Sequence, residues 1–324
     1  MNAVWPRARG AAAGRAQVKT RPEDFQVCEI PAVEPSGDGE HLWLHVEKTG
    51  RATRDVAGAL AAAFSVPEHA VGYAGMKDKH AVTRQWFSVH TAVDTVPALA
   101  EPGLDVVAVD RHRRKLRRGE LAGNAFRLRL EGVSGSGWEA ALADARDRGV
   151  PNYFGPQRFG TDNLEAAQRW LEQRRRRRVA AFRRGLYLSV LRSFLFNEVL
   201  ACRVAASAWQ RPVTGDVLLP PAMRGDPADP MPTGPLWGRG RPAVDGEAAG
   251  FEEAALAPHR TVREGLEHAG LVQERRSLVL RAPDLAWSLD GDAATLTFSL
   301  PPGTYATVLL AEAFELREPD REAA

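Results

Sequence analysis

The chain has 324 residues, of which 44% are hydrophobic and 26% are charged, and its formal net charge is +2. This composition is typical of a soluble globular protein, and the length favours two structural units because single cores rarely grow beyond roughly 250–300 residues. Two cysteines exclude a disulfide framework, and no apolar run reaches the roughly 20 residues of a membrane span, so we expect a cytoplasmic protein without a membrane contact.

The first half of the chain is patterned as strands around one helix. Its first twenty residues are rich in Ala and Arg and lack acidic residues, which predicts a short disordered arm. Thr53 is predicted to cap a helix that ends before Pro67. Alternation of apolar and polar residues predicts strands at 25–30, 41–47, 86–90, 104–109 and 125–130. In the last strand, Phe126 lies on the apolar face and Arg127 on the opposite face.

The second half is patterned mostly as helix. Apolar residues recur at helical spacing from Trp138 to about residue 208, and another helix is predicted near 251–269. Residues 211–250 are rich in Pro and Gly and are predicted to be irregular. Strand patterns return at 277–281 and 294–300. Strands, then helices, then strands again predict an α+β fold in which a mostly helical insertion interrupts a sheet domain.

Positive charge is concentrated in two short stretches. Residues 111–118 read RHRRKLRR, and residues 174–178 are five consecutive arginines. Such clusters are typical of a surface that binds a polyanion, because each neutralised phosphate releases counterions. An arginine run can also be a solvated helix face, and one run alone does not decide between the two. Two runs, together with the motifs below, favour a nucleic acid.

The sequence carries no motif for a bound nucleotide or metal. It lacks the patterns GxxxxGK[ST], GxGxxG, HExxH and CxxC. His41 and His45 share one face of a predicted strand, but about 13 Å separates them, which is too far for one ion. We therefore expect no cofactor and no metal, which argues against a kinase, a nucleotide-dependent dehydrogenase or a zinc hydrolase.

One aspartate between two lysines carries the most chemical information. Residues 73–85 read YAGMKDKHAVTRQ, in which Lys77 and Lys79 flank Asp78. Adjacent cations favour an ionised carboxylate, so Asp78 could act as a nucleophile or a base near neutral pH. The alternative is an ordinary surface ion pair between Asp78 and one of these lysines. Such pairs are common, so composition alone favours this alternative.

This segment resembles AG-x-KD-K-HAVT-x-Q, the signature of the TruD family of tRNA pseudouridine synthases. Four further blocks resemble those of the family in the same order: KTRPEDFQV at 19–27, GNAF at 123–126, NYFGPQRFG at 152–160 and GTYAT at 303–307. Five ordered blocks across nearly the whole chain make this resemblance highly specific. One departure is Ala311, where the family usually has arginine, and this would remove an ion pair or a phosphate contact.

The resemblance implies a pseudouridine-synthase-type catalytic domain with a mixed or antiparallel sheet. That domain would comprise residues 1–150 and 276–324, and a mostly helical insertion domain would comprise residues 151–275. The resemblance also implies isomerisation of uridine 13 of tRNA to pseudouridine, by a cytoplasmic enzyme that needs no cofactor. We expect tRNA as the partner and a monomeric enzyme.

The functional residues of the family map onto individual positions of this chain. Asp78 corresponds to the catalytic nucleophile. Phe126 could stack on a flipped uracil or pack in the core, and Lys19 could orient Asp78, hold a phosphate or be solvated. Asn124 could hydrogen-bond around the loop that holds Asp78, or make a turn. The remaining predicted substrate contacts are basic: Lys77, Arg113, Arg114 and Arg158.

Pseudouridine formation breaks the N1–C1′ bond, rotates the uracil and rejoins it through C5, so it needs neither an oxidant nor a group donor. The carboxylate could add to uracil C6 or attack C1′, and the sequence leaves both routes open. Two other hypotheses compete. A non-catalytic tRNA-binding or RNA-chaperone protein could use the same basic surface, whereas a methyltransferase would need a cofactor loop that the sequence lacks.

Overall fold

A computed structural model describes residues 5–99, 101–173, 179–219 and 230–319. The chain divides into two compact units. We call the first the helical unit, and it consists of the described residues within Met1–Ala13, Gly137–Pro283 and Thr304–Phe314. We call the second the sheet unit, and it consists of those within Gly14–Ser136, Asp284–Gly303 and Glu315–Ala324.

In the described ranges the strands are β1 (Gly14–Val18), β2 (Phe25–Pro31), β3 (His41–Lys48), β4 (Val71–Tyr73), β5 (Val82–His90), β6 (Leu104–His112), β7 (Leu121–Gly135), β8 (Val150–Pro151), β9 (Leu218–Leu219), β10 (Met231–Leu236), β11 (Glu274–Ser277), β12 (Val279–Leu280), β13 (Ala286–Asp290), β14 (Ala293–Leu300) and β15 (Phe314–Arg317). The helices are α1 (Thr53–Ala63), α2 (Trp138–Arg148), α3 (Pro156–Phe159), α4 (Asn163–Gln173), α5 (Ala181–Ala205), α6 (Gly246–Leu256), α7 (Arg260–His268) and α8 (Ala306–Ala311).

A ten-stranded mixed sheet organises the sheet unit. Its main path runs β13-β14-β7-β2-β5-β3-β6, while β1 pairs with β7 and β15, and β4 pairs with β5. β2 and β5 are parallel, whereas β7 is antiparallel to both β2 and β14. The predicted α+β class with a mixed sheet is therefore confirmed.

The sheet has an apolar face because apolar and polar side chains alternate along its strands. On β7, Leu128 and Leu130 are buried and Arg127 is exposed, as the sequence pattern predicts. On β3, the buried residues Leu42 and Leu44 pack in one cluster with the apolar side of α1. Full burial of one such side chain contributes about 1.5–3 kcal/mol, so this face provides much of the stability of the unit.

α5 is the central helix of the helical unit, where it packs against α4, α6 and β10. By length and hydropathy it is the one helix of the described ranges that could cross a membrane. More than half of its most apolar window, 56%, is buried within the protein, which is usual for the core helix of a soluble protein. The length and hydropathy of α5 are therefore only weak evidence for a membrane span.

Two predictions about irregular segments are wrong in part. The N-terminal arm is not disordered from residue 5 onward, because the Trp5 indole donates to Glu198 at 2.9 Å and packs on the Phe159 ring, and β1 follows. The segment 211–250 contains β9, β10 and the start of α6. Residues 220–229 of that segment lie outside the described residues, as does the arginine run 174–178.

The boundaries of the two units differ from those of the domains that the family resemblance implies. The main segment of the helical unit begins at Gly137 and ends at Pro283, and the unit also includes the segment Thr304–Phe314. The predicted bounds, 151 and 275, mark where an insertion would interrupt the catalytic domain, whereas the two units are defined by their compactness. These bounds remain a prediction.

Candidate active site

Asp78 lies in the loop that joins β4 to β5, at the sheet edge where β5 begins. A 3-10 turn and β4 lie between α1 and this loop. Thr53, the first residue of α1, accepts a hydrogen bond from the Lys77 amide at 2.9 Å and donates to Gln85 at 3.0 Å. Gln85 in turn donates to the Gly75 carbonyl at 3.1 Å. α1 and β5 thus hold the loop from both sides.

Lys19 is the cation that contacts the Asp78 carboxylate. Its Nζ lies 2.7 Å from Asp78 Oδ2, and its side chain is only 5% exposed, whereas that of Asp78 is 33% exposed. The amide of His80 donates to the second carboxylate oxygen, Oδ1, at 3.0 Å. Lys19 also adopts a left-handed backbone conformation, with φ of +60°. The structure thus has Lys19 in the Asp78-orienting arrangement that the sequence raised as one alternative.

The electrostatic surroundings keep Asp78 ionised at neutral pH. Burial, the largest influence, would raise the pKa of this carboxyl group. The hydrogen bonds from Lys19 and from the His80 amide, with the positive charge of Lys19, together outweigh burial, so the pKa of Asp78 is lowered. The carboxylate is therefore charged, and it is still partly exposed.

Lys77 and Lys79 do not supply this charge, contrary to the prediction from adjacency. Lys77 forms an ion pair with Glu29 at 2.9 Å, with exposures of 6% and 1% for the two side chains, and it is not among the groups that shift the pKa of Asp78. Its ammonium also donates to the side-chain oxygen of Asn124 on β7. Lys79 is exposed. Asn124 thus belongs to the support of the loop, while substrate contact by Lys77 or Asn124 remains a prediction.

A row of three phenylalanines begins at Phe25, which lies beside Lys19. The Lys19 ammonium lies 4.8 Å from the centroid of the Phe25 ring, and Phe25 meets the Phe126 ring edge-on at 6.2 Å between centroids. Phe126 stacks on Phe298 at 5.2 Å. Phe25 and Phe298 are buried, while Phe126 is half-buried and keeps part of its surface free of the core. Both predicted roles of Phe126 are compatible with this placement.

The basic segment 111–118 lies next to the strand that leads into the Asp78 loop. The Gly119 amide donates to the Ala74 carbonyl at 2.9 Å, and the Arg118 guanidinium lies 3.7 Å from the centroid of the Tyr73 ring. Its two predicted phosphate contacts, both exposed, are each paired with a carboxylate: Arg113 with Asp38, and Arg114 with Glu120. A phosphate would have to compete with these carboxylates.

Arg158 belongs to the helical unit. Its guanidinium donates to the hydroxyls of Ser193, at 3.1 Å, and Ser189, both on α5. It is half-buried, so its donors are at least partly engaged within the unit. A contact between Arg158 and RNA remains a prediction.

Glu312, the carboxylate beside Ala311, has a partner from elsewhere in the chain. It is buried and accepts hydrogen bonds from the Ala8 amide at 3.3 Å and from Arg9 at 3.4 Å. The departure from the family pattern at Ala311 therefore does not leave this buried carboxylate without a cation.

Sequence reasoning missed Lys48 and Glu29. Lys48 is 1% exposed and donates to the main-chain carbonyl of Asp78 at 2.7 Å. A signal for both existed in the strand patterns. Lys48 continues the apolar face of β3 after Val46, and Glu29 continues that of β2 after Val27, so each charged residue occupies a position where alternation predicts burial.

Comparison with known proteins identifies relatives of this chain. The family model for tRNA pseudouridine synthase D (TruD) matches residues 10–167 and 177–313. The tRNA pseudouridine synthase D of Methylococcus capsulatus is 46% identical, over 96% of this chain and 94% of that protein. The one from Aeromonas salmonicida is 43% identical, over 96% and 94%.

A solved structure shows the same fold. The crystal structure of a TruD protein from Methanosarcina mazei superposes with a TM-score of 0.71 at 19% identity, covering 96% of this chain and 95% of that one. The fold likeness, the identities above and a family match over most of the chain lead to one conclusion. This chain belongs to the tRNA pseudouridine synthase D (TruD) family.

Proposed function

We propose that this chain converts uridine 13 of tRNA to pseudouridine with the carboxylate of Asp78 as the nucleophile. As a TruD-family member the chain is a tRNA pseudouridine synthase, which is an isomerase. The assignment of Asp78 as the nucleophile and of uridine 13 as the target goes beyond what family membership gives. The observation that supports Asp78 is its ionised, partly exposed carboxylate, held by Lys19 at 2.7 Å.

The isomerisation needs such an oxygen and little else. A carboxylate that adds to uracil C6, or attacks C1′, allows the N1–C1′ bond to break and the uracil to turn. A C5–C1′ bond then forms and the bond between the Asp78 oxygen and C6 or C1′ breaks, which returns the free carboxylate. C5 loses its proton and N1 gains one, so nothing is oxidised or reduced. Asp78 has one oxygen bound to Lys19 and the other to the His80 amide, which fixes the direction of the carboxylate.

Substrate binding would use the residues around the loop. A uridine that leaves its stack loses a few kcal/mol, about what one aromatic stacking contact of 1–3 kcal/mol and backbone contacts can offset. Phe126 supplies a half-buried ring for that contact. The proposed polar and phosphate contacts are Lys19, Lys77, Asn124, Arg113, Arg114 and Arg158.

The proposal extends to the domain organisation, the location and the oligomeric state of the protein. Residues 1–150 and 276–324 would form the catalytic domain, and 151–275 the helical insertion. The enzyme would act in the cytoplasm as a monomer, without a cofactor or a metal.

Asp78→Asn is expected to abolish pseudouridine formation while tRNA affinity stays within about twofold, because the amide keeps the shape but is a poor nucleophile. A tRNA transcript is incubated with each enzyme, treated with carbodiimide and read by primer extension. A stop at position 13 reports the product, and a transcript with cytidine at that position should give none.

Asp105→Asn is the matched control, since Asp105 is an exposed aspartate of the same unit, on β6. This control should retain full activity. Turnover by the Asp78→Asn enzyme would remove Asp78 from its role. A stop at another uridine, with none at position 13, would overturn the assigned target but not the nucleophile.

A further inference from the structure

Lys48 is a buried cation whose position the fold alone does not explain. It is the last residue of β3 and follows Leu42, Leu44 and Val46 on the apolar face, where another apolar residue would pack without cost. Its ammonium has no carboxylate within 4.0 Å among the described residues. A buried ammonium without such a partner costs several kcal/mol in lost hydration.

Within the described residues, the side chain of Lys48 makes a single hydrogen bond, and its acceptor lies in the loop that holds Asp78. Its Nζ donates to the main-chain carbonyl of Asp78 at 2.7 Å. The neighbouring amide of Lys77 is held by Thr53, and the His80 amide is held by the Asp78 carboxylate itself. Lys48 therefore fixes the peptide that directly follows the Asp78 side chain, between these two anchors.

We propose that Lys48 is a positioning residue, which holds the Asp78 peptide so that the carboxylate points at the uracil, and which does so best while it carries its proton. This inference rests on the proposed role of Asp78. It assigns to Lys48 no contact with the substrate.

The surroundings of Lys48 make that proton labile. Burial lowers the pKa of Lys48 from 10.5 to about 8, a shift opposed by the negative charges of Asp78 and Asp55 and assisted by Lys77. The groups that face Lys48 are Asp78 and Lys77 from the loop, Asp55 from α1, and on the neighbouring strands the uncharged Thr83 of β5 and Leu104 of β6. When the proton leaves, the donor weakens and a positive charge near the carboxylate is lost.

The effect on stability has the opposite sign. Between pH 8 and 10.5 the unfolded chain binds more protons at Lys48 than the folded chain does, so this residue makes the fold more stable as pH rises. Alkaline loss of activity that arises at Lys48 is therefore not unfolding. Activity and stability should change in opposite directions there.

The test compares wild type, Lys48→Met and Lys48→Arg, with Lys79→Met as the control because Lys79 is an exposed lysine of the same loop. The turnover number and KM are measured from about pH 6 to about pH 10. We expect wild-type kcat to fall through an alkaline limb near pH 8, following the pKa of Lys48. Titration of the uracil is common to all variants, so differences between them report on the protein.

Lys48→Met should lower kcat at neutral pH by at least about tenfold with KM within about twofold, and should lack the alkaline limb. Lys48→Arg should recover part of the turnover and also lack the limb, because arginine stays protonated. Lys79→Met should match wild type. Thermal melting of each variant over the same pH range reports folding.

The inference is overturned if Lys48→Met keeps the wild-type kcat and limb. Should that variant not fold, a wild-type kcat that stays flat between about pH 7 and about pH 9 overturns it equally. Asp78→Asn separates the two proposals. An inactive Asp78→Asn beside an unchanged Lys48→Met rejects only the role of Lys48, whereas an active Asp78→Asn rejects the proposed function first.

Discussion

At the scale of single residues, the lowered pKa of Asp78 depends on a cation that is distant in the sequence. Lys19 lies 59 positions earlier, yet it makes the short contact, while the two lysines beside Asp78 do not. The charge of Lys19 acts at 2.7 Å from a largely buried side chain, where solvent screens it less than at the surface. Lys19 thus offsets the burial that would otherwise favour a protonated Asp78.

Lys19→Met should shift the acid limb of kcat/KM to higher pH, because the burial that raises the Asp78 pKa then lacks its main opponent. In the wild type the lowered pKa means that the ion pair stabilises the fold above the ordinary aspartate pKa and that this stabilisation is lost as pH falls through the lowered value. The measurement is a pH–rate profile. Lys19→Arg, which keeps the charge, is the control, and an acid limb that does not move in Lys19→Met would contradict the argument.

At the scale of elements, a buried ion pair connects the loop to two strands. Glu29 belongs to β2, Lys77 to the loop and Asn124 to β7, and Lys77 contacts both of the others. The Trp86 amide on β5 also donates to Glu29, at 3.4 Å. The parallel pairing of β2 with β5 brings these groups together, so the geometry of the loop depends on the register of the sheet.

Lys77→Met should destabilise the protein by about 3–5 kcal/mol, because it leaves the Glu29 carboxylate buried without a cation. The double variant Glu29→Gln/Lys77→Met should cost less than the sum of the single variants, since it removes both charges. Denaturant unfolding measures these costs. Arg260→Met breaks the exposed pair with Glu264 and should leave the free energy of unfolding nearly unchanged, because exposed ion pairs contribute little. Additive costs for Glu29 and Lys77 would show that the pair is not coupled.

The sequence predicted α1 and six strands of the sheet, β2, β3, β5, β6, β7 and β14, because periodicity is a local property of the chain, but β1, β4, β13 and β15 were missed. The family motif, which is also local, is the basis on which Asp78 is proposed. For Lys19 and Asn124 the sequence offered several alternatives, and these included the contacts that the structure has, of Lys19 with Asp78 and of Asn124 with the loop. It could not show that Lys77 turns to Glu29, since the direction of a side chain in a loop depends on which strands pair beneath it. Lys48 was missed because a lysine at a strand end usually reaches solvent.

At the scale of the whole molecule, net charge says little and its distribution says more. The formal charge of +2 conceals the basic segment 111–118, which lies beside the strand leading to Asp78. Arg113 and Arg114 are each held by an acidic partner before RNA arrives. These pairs keep the guanidinium groups at fixed places on the surface, and exposed pairs of this kind are weak enough to exchange for phosphate.

Arg113→Gln and Arg114→Gln should each weaken tRNA binding and reduce the slope of log Kd against log salt by about one, because each removes one proposed phosphate contact. The measurement is a binding titration at several salt concentrations. Arg260→Gln is the matched control, an exposed and ion-paired arginine of the helical unit. Slopes that equal that of the control would place the path of the RNA elsewhere.

The left-handed backbone of Lys19 has a consequence for how this protein can change. A residue with a side chain is strained by about 1–2 kcal/mol at its φ of +60°, and glycine would relieve that strain. Glycine would also take away the ammonium beside Asp78. Position 19 therefore faces two opposing physical demands, relief of backbone strain and a positive charge in contact with Asp78, and lysine meets only the second.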